Sequence, residues 1–355
     1  MINFTNLGLN EELLNEYSIY KDNGFELGRI CSEHKGIYKI LTEVGEVLGN
    51  ISGNFLNSIT QKSDFPAVGD WVVISLRKEE KKATIHSLLT RFSKFSRKSA
   101  GKTIEEQVVA TNINTVFLTI SLNNDFNLRR IERYLISAWE SGAKPVVVLN
   151  KCDLVSEEIV ENKIKEVESI AIGVPIYPVS CLSGYGMDSL KKHCTSGETV
   201  ALLGSSGAGK STICNYLLGK RHQITQQVRE KDDKGKHTTT HRELLQLPTG
   251  GNLIDTPGMR ELQLWDIENS LSIGFSDIEK LAEKCLFKDC KHIHEPSCAV
   301  KEAIKDGLLD QARLDSYFKV EKEIRYLERK GDKLKNSLNK KKIKKIGGDR
   351  TRFNR

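Results

Sequence analysis

Residues 198–212 read ETVALLGSSGAGKST. An apolar run of strand character ends at Gly204. From there Gly204, Ser205, Ser206, Gly207, Ala208, Gly209, Lys210 and Ser211 fit GxxxxGK[ST], with a strand before and a helix after, the context this motif requires. The glycines let consecutive backbone N–H groups turn toward phosphate oxygens, and the start of a helix adds favourable electrostatics. Lys210 is expected to contact the β- and γ-phosphates, Ser211 to ligate Mg²⁺ and Thr212 to cap the site.

Outward from this loop the chain alternates between two patterns. NTVFLTISL (114–122), KPVVVLN (144–150), VPIYPVS (174–180) and NLID (252–255) read as strands. Leu128, Ile131, Leu135, Ile136 and Trp139 recur at helical spacing, and 157–170 is a second helical stretch. Strands alternating with helices predict a parallel α/β sheet, in which ligands bind at the carboxyl ends of the strands.

Three further motifs stand at such ends. Asn150, Lys151, Cys152 and Asp153 follow VVVLN. An Asp there can accept from both N1–H and the 2-amino group of guanine, whereas adenine would leave the carboxylate desolvated and unpaired. The Lys151 stem can lie over the base, and Asn150 can tie its loop to the phosphate loop. Ser180, Cys181, Leu182, Ser183 and Gly184 also follow a strand. They fit either a guanine-loop SAxxG, with Cys for Ala and a backbone N–H for the guanine O6, or a plain turn. Asp255, Thr256, Pro257 and Gly258 follow NLID. There Asp255 would hold Mg²⁺ through a water and the Gly258 N–H would sense the γ-phosphate.

Between the phosphate loop and DTPG lies GKHTTT (235–240). A GTPase places its first switch and its Mg²⁺-sensing Thr in that interval. Thr239 is favoured, though spacing does not choose among the threonines. Met259 stands where many GTPases carry a water-orienting Gln, and a thioether cannot do that work. His237 has a side chain suited to that task, and a structural role suits it equally.

These elements resemble the GTPase set in rotated order. Guanine motifs come first, at 150 and 180, and phosphate loop, switch and DTPG follow, which is a circular permutation. NKCD argues against an ATPase or kinase reading. Met259 keeps open a second class of function, a non-catalytic GTP-binding module that binds RNA.

Before this core, 27–97 reads as about five short β segments, at 36–41, 46–51, 70–76 and 83–88 among them, and predicts a small barrel. RFSKFSRKSAGK (91–102) is a connector or an edge that contacts nucleic acid. After Trp265 the chain turns helical around Cys285, Cys290, His292 and Cys298, three thiolates and one imidazole that form a closed tetrahedral set for one structural Zn²⁺, with His294 as a spare. A charged helix is expected over 320–338.

The chain has 355 residues, 54 Lys or Arg and 47 Asp or Glu, for a net charge of +7. Residues 319–355 hold 15 basic and 5 acidic residues, a balance of +10, so the remainder carries −3. A basic block on a nearly neutral body implies a polyanionic partner, nucleic acid before membrane, or simply a solvated end. No apolar run approaches a membrane span and the start does not read as a signal peptide. Eight Cys, three of them within 285–298, suit a metal site in a reducing cytoplasm better than disulfides.

Taken together, FPAVGDWV, DFNLRRIERYL, NKCD, GSSGAGKST, GKHTTTHREL, DTPGMREL and CLFKDCKHIHEPSCAV resemble the small-ribosomal-subunit-dependent, circularly permuted GTPases of the RsgA type. The resemblance implies three domains. These are an OB-fold-like barrel over 1–100, a permuted GTPase domain over 101–270, and a helical zinc domain with a basic tail over 271–355. It implies zinc on Cys285, Cys290, His292 and Cys298, and a switch histidine at His237. It further implies Mg²⁺ with GTP, slow intrinsic hydrolysis stimulated by the small subunit and its rRNA, and late maturation of that subunit. A cytoplasmic monomer with no membrane partner is expected.

Overall fold

The computed structural model describes residues 2–98, 106–123, 126–219, 242–255, 274–311, 313–322 and Arg325. They fall into two compact units, one within Met1–Arg97 and Glu106–Trp265, the other within Lys98–Glu105 and Asp266–Arg355.

The first unit opens with helix α1 (Glu11–Lys21), whose first turn is capped by Asn10, its side chain accepting from the Leu13 N–H. Only Leu13 of this helix is buried, against Leu27, Trp71, Val73 and Leu89. Five strands then form a barrel, β1 (Glu26–His34), β2 (Ile37–Thr42), β3 (Gly45–Ile51), β4 (Trp71–Arg77) and β5 (Lys82–Leu88), with helix α2 (Gly53–Ser58) between β3 and β4. Strand β1 pairs antiparallel with β2 and β4, β2 with β3, and β4 with β5, and β3 runs parallel to β5, so the sheet closes on itself. Ile30, Tyr38, Ile40, Val47, Val72, Ile74, Ala83 and Ile85 fill the interior. Alternate residues point inward, as the two-residue period of a strand requires.

Residues 91–98 of the stretch expected to be a connector or an edge are described. Lys94–Lys98 forms β6, paired with β7 (Glu106–Thr111), and Ser93 and Phe95 are buried. Arg91 binds buried Asp70 with Nε at 2.8 Å and Nη2 at 2.6 Å, which fixes this stretch to the barrel.

The α/β half contains β8 (Thr115–Ser121), α3 (Leu128–Ser141), β9 (Lys144–Asn150), α4 (Glu157–Glu168), β10 (Ile176–Val179), α5 (Met187–Lys191), β11 (Thr199–Leu203), α6 (Lys210–Leu218), β12 (Glu243–Gln246) and β13 (Asn252–Asp255). The strand order is β10-β9-β8-β11-β13-β12, all parallel except β12. Side chains alternate between faces. Val116, Leu118, Val147, Leu149, Ala201 and Leu203 pack beneath α3 and α4, while Phe117, Val146, Val148, Val200 and Leu202 pack beneath α5 and α6. This double cover is why the strands read as continuous apolar runs. The permutation is visible in the order: the chain walks outward through β8, β9 and β10 and then returns to the middle of the sheet for β11.

In the second unit α7 (Ser276–Ala282) and α8 (Ala299–Lys305) flank the Cys/His segment, and 313–322 is helical. The start of the charged helix expected over 320–338 is described to Lys322, and most of it lies outside the described residues. Among the described residues, no helix is long and apolar enough to cross a membrane.

Candidate functional site

The parallel strands of the sheet end together. Val179 lies beside Asn150, Ser121 beside Asn150, Leu118 beside Leu203, and Ala201 beside Ile254. The loops carrying NKCD, SCLSG and GSSGAGKS, together with Asp255, therefore open at one edge of one sheet.

The phosphate loop leaves β11 at Gly204 and enters α6 at Lys210, with Gly209 at the N-cap in the left-handed region, φ 97°. A Cβ on Gly204 would stand 2.2 Å from the Thr119 carbonyl oxygen, and one on Gly209 would stand 2.1 Å from Asn150 Nδ2. Glycine is thus required by packing at both ends and by conformation at the second. Asn150 is buried and donates from Nδ2 to the Ala208 carbonyl at 2.8 Å. Lys151, itself left-handed at φ 63°, donates from Nζ to the Gly207 carbonyl at 2.9 Å. Lys210 donates from Nζ to the Gly204 and Ser205 carbonyls, both at 2.6 Å. The guanine-type loop and the phosphate loop therefore hold each other through protein bonds alone. Ser206 and Gly207 form the exposed rim, Ser211 is half-buried and Thr212 exposed.

Beside them, Asp153 is exposed in the short turn Cys152–Leu154. Ser180 is buried and organises its own loop. Its carbonyl accepts from the Gly184 N–H at 2.9 Å, its hydroxyl from the Ser183 N–H at 3.2 Å, and its N–H donates to the Tyr185 carbonyl at 3.0 Å. The Cys181 thiol reaches Asn150 Oδ1 at 3.9 Å. Burial, and then the charge of Asp153, push that thiol up to about 11, and the same causes raise Cys152. Both are neutral thiols near pH 7, so their part here is packing and backbone geometry. Asp255 ends β13, half-buried, opposite Glu243 of β12. His237, Thr239 and Gly258 lie outside the described residues, as does Met259.

In the second unit the ligand atoms of Cys285, Cys290, His292 and Cys298 all lie within 4.8 Å of one another and could hold one metal ion. His292 Nδ1 stands 3.3 Å from Cys298 Sγ and 3.6 Å from Cys285 Sγ, and the two sulfurs are 3.9 Å apart. Tetrahedral zinc with its usual bond lengths has donor–donor edges of about 3.5–3.8 Å, so the donor set fits. His292 is buried and left-handed at φ 58°, whereas His294 is exposed and outside the cluster. The backbone decides between the two histidines.

The RsgA GTPase family matches residues 88–265. A small ribosomal subunit biogenesis GTPase RsgA 2 of Lactiplantibacillus plantarum is 43% identical over 92% of this chain and 90% of its own length. The RsgA 1 protein of Oceanobacillus iheyensis is 42% identical over 94% of this chain and 97% of its own. The chain belongs to the RsgA GTPase family. Among solved structures, YjeQ from Thermotoga maritima aligns with a TM-score of 0.63 at 27% identity, covering 84% of this chain and 98% of that one. YloQ, titled a circularly permuted GTPase, aligns at 0.61 and 26% identity, covering 85% and 95%. The protein is accordingly a GTP-hydrolysing enzyme with the circularly permuted GTPase fold, and Mg²⁺ accompanies its nucleotide.

Two contributors to these RsgA-type sites carry no sequence signal. Thr119 matters through its carbonyl, which closes on Gly204. The exposed Glu295 carboxylate accepts the N–H groups of Lys291 at 3.1 Å, Ile293 at 2.9 Å and His294 at 3.0 Å, and so shapes the turn around His292. Its own backbone N–H first, and then those of Ile293, Lys291 and His294, hold it down at about 2.

Proposed function

We propose that the protein is a GTPase of small-ribosomal-subunit biogenesis that hydrolyses GTP while bound to that subunit late in its maturation. The single observation carrying this reading is the convergence of NKCD, SCLSG, the phosphate loop and Asp255 at one sheet edge, in a chain of the RsgA family. Asp153 selects guanine, with Lys151 over the base and the Ser180–Cys181 backbone at O6. Gly204, Ser205, Ser206, Gly207, Ala208 and Gly209 offer N–H groups to the phosphates, and Lys210 neutralises the charge that develops there. Bound Mg²⁺ would supply Lewis-acid stabilisation of the phosphate charge. Ser211, Asp255 and Thr239 are the residues to hold it. Water attacks the γ-phosphorus, the bond to the β-phosphate oxygen breaks, and GDP and phosphate leave. His237 orients that water or the loop around it, since Met259 cannot. Thr212 caps the site, and Gly258 reports the γ-phosphate.

The division into a barrel (1–100), a GTPase domain (101–270) and a zinc domain (271–355) belongs to this proposal. So does the OB character of the barrel. Zinc on Cys285, Cys290, His292 and Cys298 is structural. The barrel, the zinc domain and the basic tail contact rRNA, so binding weakens steeply with salt. The protein works in the cytoplasm as a monomer, binding the subunit more tightly with GTP than with GDP. Sedimentation with purified small subunits tests this. Co-sedimentation should be strong with a non-hydrolysable GTP analogue and weak with GDP or no nucleotide. Equal co-sedimentation in all three would overturn the nucleotide-driven cycle.

A further inference from the structure

Strand β1 belongs to two structures at once. It is a stave of the barrel through its pairing with β2 and β4. Near its end Ser32 pairs with Glu243 of β12, and Glu243 lies opposite Asp255 of β13. The β1–β2 register shifts between Ile30 and Ser32, a bulge at Cys31 of the kind that bends a strand. Beyond that bend the barrel becomes the next strand of the α/β sheet. Ser32 is two strands from Asp255, a separation of about 10 Å.

Three residues before Ser32 stands Arg29, only 1% exposed. Its Nε donates to the Gly69 carbonyl at 3.2 Å, and its Nη2 to the Asn112 carbonyl at 3.0 Å. Its Nη1 donates to the Leu7 carbonyl and, at 3.0 Å, to Thr199 Oγ1. Its guanidinium carbon lies 5.6 Å from the Trp71 ring centre. Thr199 is the first residue of β11, the strand that ends in the phosphate loop, and it pairs with Asn252, the first residue of β13. The surroundings are tied in the same way. Asn112 Nδ2 donates to the Gly69 carbonyl at 3.0 Å, the Thr199 N–H to Asn114 Oδ1 at 2.9 Å, and Asn252 Nδ2 to the Asn6 carbonyl at 2.9 Å.

Asp70, whose charge favours the Arg29 cation, is already engaged by Arg91. Burial pulls the Arg29 guanidinium down to about 9, still charged at neutral pH. A buried cation held mainly by carbonyls is a poor source of stability compared with an apolar residue of similar size. What it supplies is a fixed geometry. One planar group binds the N-terminal segment, the barrel, the segment after β7 and the foot of β11 together.

We propose that Arg29 is a positioning residue that locks the barrel to the strand of the phosphate loop, so that β1 passes displacement between the barrel and Asp255 through β12. The proposal rests on the GTPase reading above. It makes the barrel a part of the nucleotide machinery: whatever binds the barrel alters nucleotide handling, and nucleotide alters the barrel in return, as linkage demands.

Hydrogen–deuterium exchange of the full-length protein, with and without a non-hydrolysable GTP analogue, tests the coupling with no ribosome present. In the wild type the analogue should slow exchange of amides in 26–34 and 243–246 by about fivefold or more. In Arg29→Met the phosphate-loop amides should still be protected by the analogue while the 26–34 response is lost. Thr199→Val, which removes one hydroxyl at nearly constant volume, should lose part of it and remains testable if Arg29→Met does not fold. Equal responses in the wild type and Thr199→Val, or no barrel response in the wild type, would overturn the proposal. As a second readout, turnover with small subunits should lose its stimulation in Arg29→Met while basal turnover stays within about twofold. A wild type that small subunits do not stimulate at all would count against the assembly role and leave the exchange result to decide the coupling.

Discussion

The nucleotide loops and the Cys/His cluster are both sets of four or more functional groups gathered from short segments, but they are held by different means. The nucleotide loops hang from the ends of β9, β10, β11 and β13, and β9, β11 and β13 are buried on both faces. They are cross-tied by Asn150 to Ala208 and Lys151 to Gly207 before any ligand arrives. The Cys/His cluster lies between α7 and α8, each of seven residues, too short to be stable helices alone. Around it Phe275, Ile278, Val300, Ala303 and Leu314 are buried, and Arg313 pairs with Asp277. In the first region protein structure organises the ligand, and in the second a bound metal would organise the protein.

The largest effect that would sharpen this contrast is on the second region. Structural zinc in small peptides is worth about 10–16 kcal/mol of apparent binding energy. Cys290→Ser should therefore abolish stoichiometric zinc and unfold the second unit, as read by metal analysis and by proteolysis confined to residues after 274. GTP affinity should hardly change. Simultaneous loss of GTP binding would break the contrast, and so would absence of zinc in freshly purified wild type.

Next in size, Lys210→Ala should lower GTP turnover by about a hundredfold or more while leaving the melting temperature nearly unchanged. A smaller change follows from Asp153→Asn. GTP affinity should fall by about tenfold to a hundredfold in a competition assay, and xanthosine triphosphate should gain, because its 2-oxo group takes the new amide donor. Equal binding of ATP and GTP by the wild type would remove the basis for this prediction. The smallest expected effect is at His237. His237→Ala should reduce turnover by about tenfold with GTP affinity preserved. Loss of both together would indicate a structural role.

The same contrast governs what could be read from the sequence. Strands β8, β9, β11 and β13 were legible because burial on both faces makes them apolar runs, and their loops because phosphate and guanine chemistry restrict residue type. The four barrel segments at 36–41, 46–51, 70–76 and 83–88 match β2, β3, β4 and β5 to within a residue or so. Helix α1 was not read as a helix, since it buries Leu13 alone and only the half-buried Tyr17 and Tyr20 continue its inner face. Strand β12 is four residues long with two polar ends, too short for its period to show. Lys94 to Lys98 reads as a charged linker because its basic residues hide the buried Phe95 between them. Arg29, Asp70 and Arg91 were invisible for a different reason. A buried charged network looks locally like any surface charge, and its partners lie 20 or more residues away. The choice of His292 over His294, two positions away, was legible from the C-x-H spacing, and the cluster contains His292.

Completion of this GTPase by the small subunit, as proposed, is tested most directly by GTP turnover titrated with purified small subunits, purified large subunits, or buffer. Hydrolysis should be slow in buffer, rise to saturation with small subunits, and show no comparable rise with large ones. Equal stimulation by both subunits, or a rate in buffer that small subunits do not change, would contradict it.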